Sequence, residues 1–418
     1  MHPARIAFVL LLSLGACKST CASTASKPTE DAAAPDAAAA TVNAAYIVSR
    51  KVVTIVADGQ VTELDSDRWE WKRALGSDGS LYVAGDGVRR IRGEVTTKLS
   101  SAAAFDIAVG PDGRVWVTDQ VGVLVLDGDK TKMIPMSTPQ SKVVATPRGP
   151  VFAEGTTIST LEGDVLKKDE EASRLLTGLA VRAMTAAPNG EVFIVTMMKF
   201  VRRDAAGTWH EHMLTDLGFT LAVGRASPKG KVPLVTSEAI VLIGPDGAVQ
   251  RQALDLPGDL SDITAIAVDG SDRLWISATF GLFVFGPDGK LLQQWPSGAL
   301  PTSAQEILIV GDGPPLPKTP PPAIKGLVQG TAIVDGKPVP NATVEMIADP
   351  ALAGFERAKV RLTSKTNDAG QFTFLAVPRQ EYALTYKSGE QHLSANISKC
   401  CSDFTPGETR DLGQVELR

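Results

Sequence analysis

The chain has 418 residues, a formal net charge of −5 and 44% hydrophobic residues, enough apolar material for one large core or two moderate ones. Its 38 glycines and 27 prolines, set among many short runs rich in valine and isoleucine, favour strands and turns over long helices. A weakly acidic chain with no basic block argues against nucleic acid or anionic lipid as the main partner, and four histidines with four cysteines are few for metal or nucleophile chemistry.

Met1 to Arg5 is a short segment with one arginine, followed by an apolar run from Ile6 to Leu14. At about 1.5 Å per residue that run spans about 14 Å, far less than the roughly 30 Å of a bilayer core, so it reads as a signal segment. Leu14, Gly15, Ala16 and Cys17 follow, and this quartet resembles the bacterial lipobox. The resemblance implies that residues 1–16 are a lipoprotein signal peptide removed before Cys17. It also implies that Cys17 carries a diacylglyceryl thioether and a further acyl chain such as palmitate. Several acyl chains anchor stably where one alone is marginal. Ordinary secretion with an unmodified Cys17 is the alternative. No later apolar run is long enough to span a bilayer, so lipid is the expected membrane attachment. Residues 17–45, rich in Ala, Ser, Thr, Pro and Asp, show no apolar periodicity and read as a disordered tether.

From residue 46 to residue 313 the chain repeats itself. The run from Ile107 to Thr118, followed by Gly122 to Leu126, is echoed by Ile266 to Ser277 and Gly281 to Gly289. Each copy gives a short apolar strand, a turn of the Pro-Asp-Gly kind, a strand beginning near Trp116 or Trp275, and a third strand. With Gly79, Gly113, Gly149, Gly190, Gly230 and Asp272 as turn anchors, the intervals are 34, 36, 41, 40 and 42 residues. Periods near 40 residues with about four short strands each predict the blades of a β-propeller. The ends complete this pattern. Tyr46 to Gly59 matches the later part of a unit, and Glu306 to Gly313 matches a first strand and its turn. Joined, they make one blade from both ends of the segment, which removes exposed edges. The expected fold is therefore all-β, a roughly seven-bladed propeller followed by a smaller sandwich. The units holding Trp116 and Trp275 resemble the two-component-regulator propeller repeat and, more loosely, the NHL repeat. Propellers of the first family often sit in sensor ectodomains.

Residues 314–324 are rich in proline and read as a stiff spacer. Residues 325–418 are similar to carboxypeptidase-regulatory-like domains. Lys325 to Met346 carries a strand, a Gly-x-Pro-x-Pro turn and an Ala-x-Val strand, and Thr366 to Phe374, Tyr382 to Thr385 and Gly407 to Leu417 continue the pattern. The resemblance implies a prealbumin-like β-sandwich of about seven strands. Alternation would turn Phe372 and Phe374, and then Tyr382 and Leu384, toward its core. It brings no peptidase expectation: His2, His210, His212 and His392 supply no His-x-x-Glu zinc pair.

Local clusters that could carry chemistry each have a plainer alternative. His210 and His212 would share a strand face and could hold a metal, or could sit on a solvated outer strand. Tyr82, Trp116, Phe152, Phe193 and Trp275 recur at the second strand of their units, where they could line a sugar-binding channel or pack between blades. Cys400 and Cys401 could form a vicinal disulfide, or sit as two thiols on opposite strand faces. Cys21 lies in the tether. No catalytic, nucleotide or metal motif is found, so no cofactor is expected and the chain reads as a non-enzyme. The expected role is that of a lipid-anchored protein of the cell envelope whose propeller face binds a protein or glycan ligand. A propeller-based polysaccharide lyase or hydrolase is the alternative. The lyase propellers that resemble this ring use a channel histidine, and His210 and His212 lie too late in their unit for that. Lys18 after the cysteine gives no aspartate-type retention cue, which favours the outer membrane, facing the periplasm or the surface.

Overall fold

The short Val- and Ile-rich runs become strands because each is bounded by a turn that reverses the chain. In the repeated turns an aspartate or asparagine side chain accepts a backbone N–H two residues on. Asp78 does so from Ser80, Asp112 from Arg114, and Asn189 from Glu191, at 3.0–3.1 Å. The next residue takes a positive φ, +82° at Gly113, which glycine adopts without strain. Asp272 fills the equivalent position at φ +63°, a conformation aspartate tolerates better than most residues. The Asp-Gly pairs are therefore hairpin turns.

The computed structural model describes residues 43–49, 52–65, 72–85, 87–92, 95–101, 103–128, 130–136, 138–300, 304–348, 361–388 and 391–418. The signal and tether readings for residues 1–42, with Cys17 and Cys21, lie outside the described residues. Among those described, no helix is long and apolar enough to cross a membrane.

Between Ala44 and Val310 the described residues form seven four-stranded sheets, all with antiparallel neighbours. Six are simple meanders. The seventh joins Glu306–Val310 to Ala44–Val48, Val52–Ala57 and Gln60–Asp65, with Val48 opposite Glu306 and Ala44 opposite Val310. This strand begins inside the stretch read as tether: Ala44 and Ala45 are both fully buried. Seven apolar clusters fill the seven spaces between neighbouring sheets, so the ring is closed. The second-strand aromatics belong to these clusters. Tyr82, Phe152, Phe193 and Trp275 are buried within them, and Trp116 packs against one. Their repetition is the signature of inter-sheet packing. A helix the repeat did not foretell, Glu170–Leu175, is capped by Asp169, which accepts the Ala172 N–H at 3.0 Å and the Trp209 indole N–H at 2.8 Å.

Residues 325–418 form a sandwich of two four-stranded sheets among the described residues, eight strands where about seven are expected. Lys325–Val334 is the hub of one sheet, pairing antiparallel with Gln371–Pro378 and parallel with Thr409–Glu416. The other runs in the order Arg361–Lys365, Thr343–Ala348, Tyr382–Ser388, Gln391–Asn396. Phe372, Phe374, Tyr382 and Leu384 all lie in the core between them, as alternation requires. Cys400 and Cys401 close a short helix, Ser398–Cys401, rather than a strand; their sulfurs are bonded and both residues are buried.

The proline-rich segment is pinned to the propeller. The Pro314 and Pro317 carbonyls accept from Arg273 and Gln293 at 2.8 and 2.6 Å. Beyond it the sandwich docks through Arg379, which is paired with Glu63, and through Gln380, whose amide bonds Ser297 and the Thr279 carbonyl.

Candidate functional site

The first strands of all seven sheets converge on a channel of about 860 Å³. Stepping back seven residues from each turn anchor lands on Lys72, Asp106, Lys142, Ala183, Val223, Ala265 and Glu306. Five of these, Lys72, Asp106, Lys142, Ala183 and Glu306, open the first strand of their sheet and so stand at one mouth of the channel. Arg182 precedes one of them, and Arg73 and Arg225 complete the set of charged lining residues. Five cations against two carboxylates leave a formal +3 around the lumen of a chain whose total is −5.

Glu306 is held between two guanidinium groups. Arg225 Nε donates to Glu306 Oε1 at 2.7 Å, and Arg73 Nη1 lies 3.8 Å from Oε2. Arg225 also donates to the Arg73 carbonyl, and Arg73 to Gln305 Oε1 at 3.4 Å. Burial opposes the charge on Arg225, yet Glu306 and then Asp106 hold its proton above the ordinary arginine range. The Arg225 side chain is 40% accessible and lines the channel, where bulk salt screens less than at a free surface.

Asp106 Oδ2 accepts the Val143 N–H from the neighbouring sheet at 2.9 Å. Burial raises its carboxyl above the usual aspartate range, against the pull of that N–H, Lys72 and Arg225. Lys142 is pushed down by burial and by Lys72, and drawn back by Asp106. Neither Lys72 nor Lys142 has a side-chain hydrogen bond or ion pair among the described residues, so both are available to an incoming anion.

A raised carboxyl has a consequence for stability. Below pH 3.8 the group is protonated whether folded or unfolded and costs nothing. As pH rises through the folded value, the ionised form is disfavoured in the channel and stability falls. Asp106→Asn keeps an oxygen for Val143 and removes that loss. Its urea midpoint is expected above wild type at neutral pH and equal to it in acid. A midpoint below wild type at neutral pH would show that the carboxylate stabilises the ring.

The residues singled out from the sequence lie away from this channel. His210 and His212 are on the outer strand Trp209–Met213. His210 Nε2 bonds Asp204 Oδ2 at 2.8 Å, and His212 stacks on Phe200 with ring centres 4.5 Å apart. None of the five second-strand aromatics lines the lumen. The channel cations escape notice in the sequence because the repeat is recognised by its turn, while the mouth position varies freely in residue type. The signal that finds them is the same register, counted backward from the turn.

No protein-family model and no curated protein matches the sequence. Solved structures do match in fold. Virginiamycin B lyase from Staphylococcus aureus is 12% identical, with 73% of this chain and 94% of that chain covered and a TM-score of 0.44. PorZ, a surface component of the type-IX secretion system of Porphyromonas gingivalis, is 12% identical over 82% of this chain and 62% of its own, with a TM-score of 0.43. An extracellular domain assigned to a hybrid two-component system of B. thetaiotaomicron is 10% identical over 88% of this chain and 55% of its own, with a TM-score of 0.45. These are likenesses of fold at low identity.

Proposed function

We propose that this protein is a lipid-anchored binding or scaffold protein of the cell envelope, attached through Cys17 and recognising its ligand at the cationic mouth of the propeller channel. One observation carries the reading: seven first strands gather a net positive lumen within an acidic chain, an arrangement that concentrates anionic ligands. Among the described residues the lining holds Lys, Arg, Asp and Glu but no histidine or cysteine, a set that favours binding over bond cleavage. The sandwich, docked on the same ring, extends the molecule as an accessory module of the carboxypeptidase-regulatory-like kind.

The second reading, a polysaccharide lyase or hydrolase, rests on Asp106, a carboxyl with raised proton affinity facing the lumen. It requires that Asp106→Asn abolish turnover of an acidic polysaccharide.

Two measurements test the proposal. Radiolabelled palmitate is expected on the wild-type chain and not on Cys17→Ser; equal labelling of both removes the anchor from the account. In affinity capture from envelope extracts, Lys72→Glu with Lys142→Glu is expected to lose partners that wild type retains, because the lumen turns from net positive to net negative. Identical capture by both proteins removes the channel mouth as the binding site.

A further inference from the structure

We infer that the channel mouth takes a protein segment that carries a carboxylate beside large apolar side chains. This deepens the binding reading above and rests on it. Beside the lumen lies a shelf of Met197, Met198, Met213 and Phe219, which are 44%, 47%, 55% and 47% exposed. They are held together by the backbone. The Met198 carbonyl accepts the Leu214 N–H at 2.8 Å, and the Met197 carbonyl accepts the Thr220 N–H at 2.9 Å. The turn between second and third strands, the end of the fourth strand and the connection to the next sheet thus form one surface. All of it lies at the end of the ring where the first strands begin.

The shelf and the cations meet at one residue, Thr220. While the Thr220 N–H bonds Met197, the Thr220 carbonyl accepts from the Arg182 guanidinium. A ligand whose carboxylate reaches Arg182 therefore comes up to Thr220, the residue to which the Met197 backbone is bonded. Among the described residues, the sandwich's hydrogen bonds at this end fall on Thr279, Ser297 and Ala299, in the loops of a different sheet.

Charge and polarity choose the occupant. The lumen is net positive, with Lys72 and Lys142 unpaired among the described residues, so the complementary group is an anion. Flexible thioethers adapt to varied apolar side chains, which a protein segment supplies. A sugar chain would present hydroxyls in need of donors and acceptors, and the shelf offers one aromatic face and three methionines. Contiguous exposed apolar surface beside a charged rim is characteristic of protein interaction sites.

The test uses the full chain in detergent and an array of short random peptides, with oligogalacturonate as an acidic carbohydrate probe. Bound peptides are expected to combine Asp or Glu with Leu, Phe or Met. Replacing the acids by amides should weaken binding by about tenfold or more, and added salt should weaken it further. Lys72→Gln with Lys142→Gln should lower affinity about tenfold, and Met197→Ser with Met198→Ser should do likewise, each with an unchanged melting curve. Oligogalacturonate binding that ignores the methionine pair would overturn the peptide assignment while leaving the cationic site in place. Binding of neither probe, or concentration-dependent self-association lost in the methionine variant, would overturn it as well; the second outcome would make another copy of this chain the occupant.

Discussion

Ile307→Ala combined with Leu308→Ala is expected to destabilise the propeller severely, although the changed strand lies more than two hundred residues from its pairing partner in sequence. Both residues sit on Glu306–Val310, the first strand of the sheet shared between the two ends of the ring. They are adjacent and point to opposite faces. Ile307 packs in the cluster that holds Trp275, Trp295 and Ala45, whereas Leu308 packs with Tyr46, Leu81 and Val83. The pair therefore loosens two inter-sheet cores at once, on both flanks of the closing sheet. A buried Ile or Leu cut to Ala costs roughly 2–5 kcal/mol. Each residue has its own core, but adjacent positions couple, so the double variant loses up to roughly 4–10 kcal/mol out of a total of about 5–15 kcal/mol. The control is Leu291→Ala with Leu292→Ala on an outer strand, both about half exposed, where an effect within about 0.5 kcal/mol is expected for each. Urea unfolding followed by tryptophan fluorescence reads the difference. If the double variant shifted the midpoint no further than the control, the shared sheet would not be what fastens the ring.

This strand shows why much of the architecture was legible before any coordinates. A propeller repeats one physical problem, a hairpin that must turn tightly and a strand that must bury both faces. The residues that solve it, Gly113 or Asp272 at positive φ and an aromatic on the second strand, recur at a readable spacing. The half-units at Tyr46 and Glu306 could be joined because each lacked what the other had. The sandwich was legible for a related reason, since Phe372 and Phe374 obey the two-residue period of a strand.

What stayed hidden depends on contacts that no period encodes. Arg379 and Glu63 are 316 positions apart and meet only because the linker returns along the ring. Met197 and Met198 follow the apolar strand Val192–Val195, and the chain turns there and leaves them exposed. For Cys400 and Cys401 the sequence leaves a vicinal disulfide and two thiols on opposite strand faces both open; their sulfurs are bonded, on a helical turn. The charge of the lumen is a sum over six of the seven sheets, each contributing one or two unremarkable residues on or beside its first strand. Only the ring brings them together.

The docking of the sandwich carries the last expected result, an inequality between two substitutions in one ion pair. Arg379 donates from both terminal nitrogens to the two Glu63 oxygens, at 2.8 and 2.6 Å. The arginine side chain is 7% exposed and the glutamate 34%. Such a pair gives no net stabilisation simply by existing, because both charges were better hydrated apart. Removing either partner nevertheless exposes a difference. Arg379→Ala leaves a carboxylate that is one-third exposed and readily hydrated, so the loss should be modest, about 1 kcal/mol. Glu63→Ala leaves a buried guanidinium with the Ala299 carbonyl at 3.4 Å as its remaining partner, and stranding a buried charge costs roughly 3–5 kcal/mol. The chain can avoid that cost by releasing the sandwich, with Gln380 and its bonds to Ser297 and Thr279 going with it. Glu63→Ala should therefore speed proteolysis in residues 314–324 and increase the radius of gyration by small-angle scattering, whereas Arg379→Ala should leave both near wild type. If the arginine variant opened more readily than the glutamate variant, the pair would hold the domains by direct attraction, and desolvation would not govern the contact.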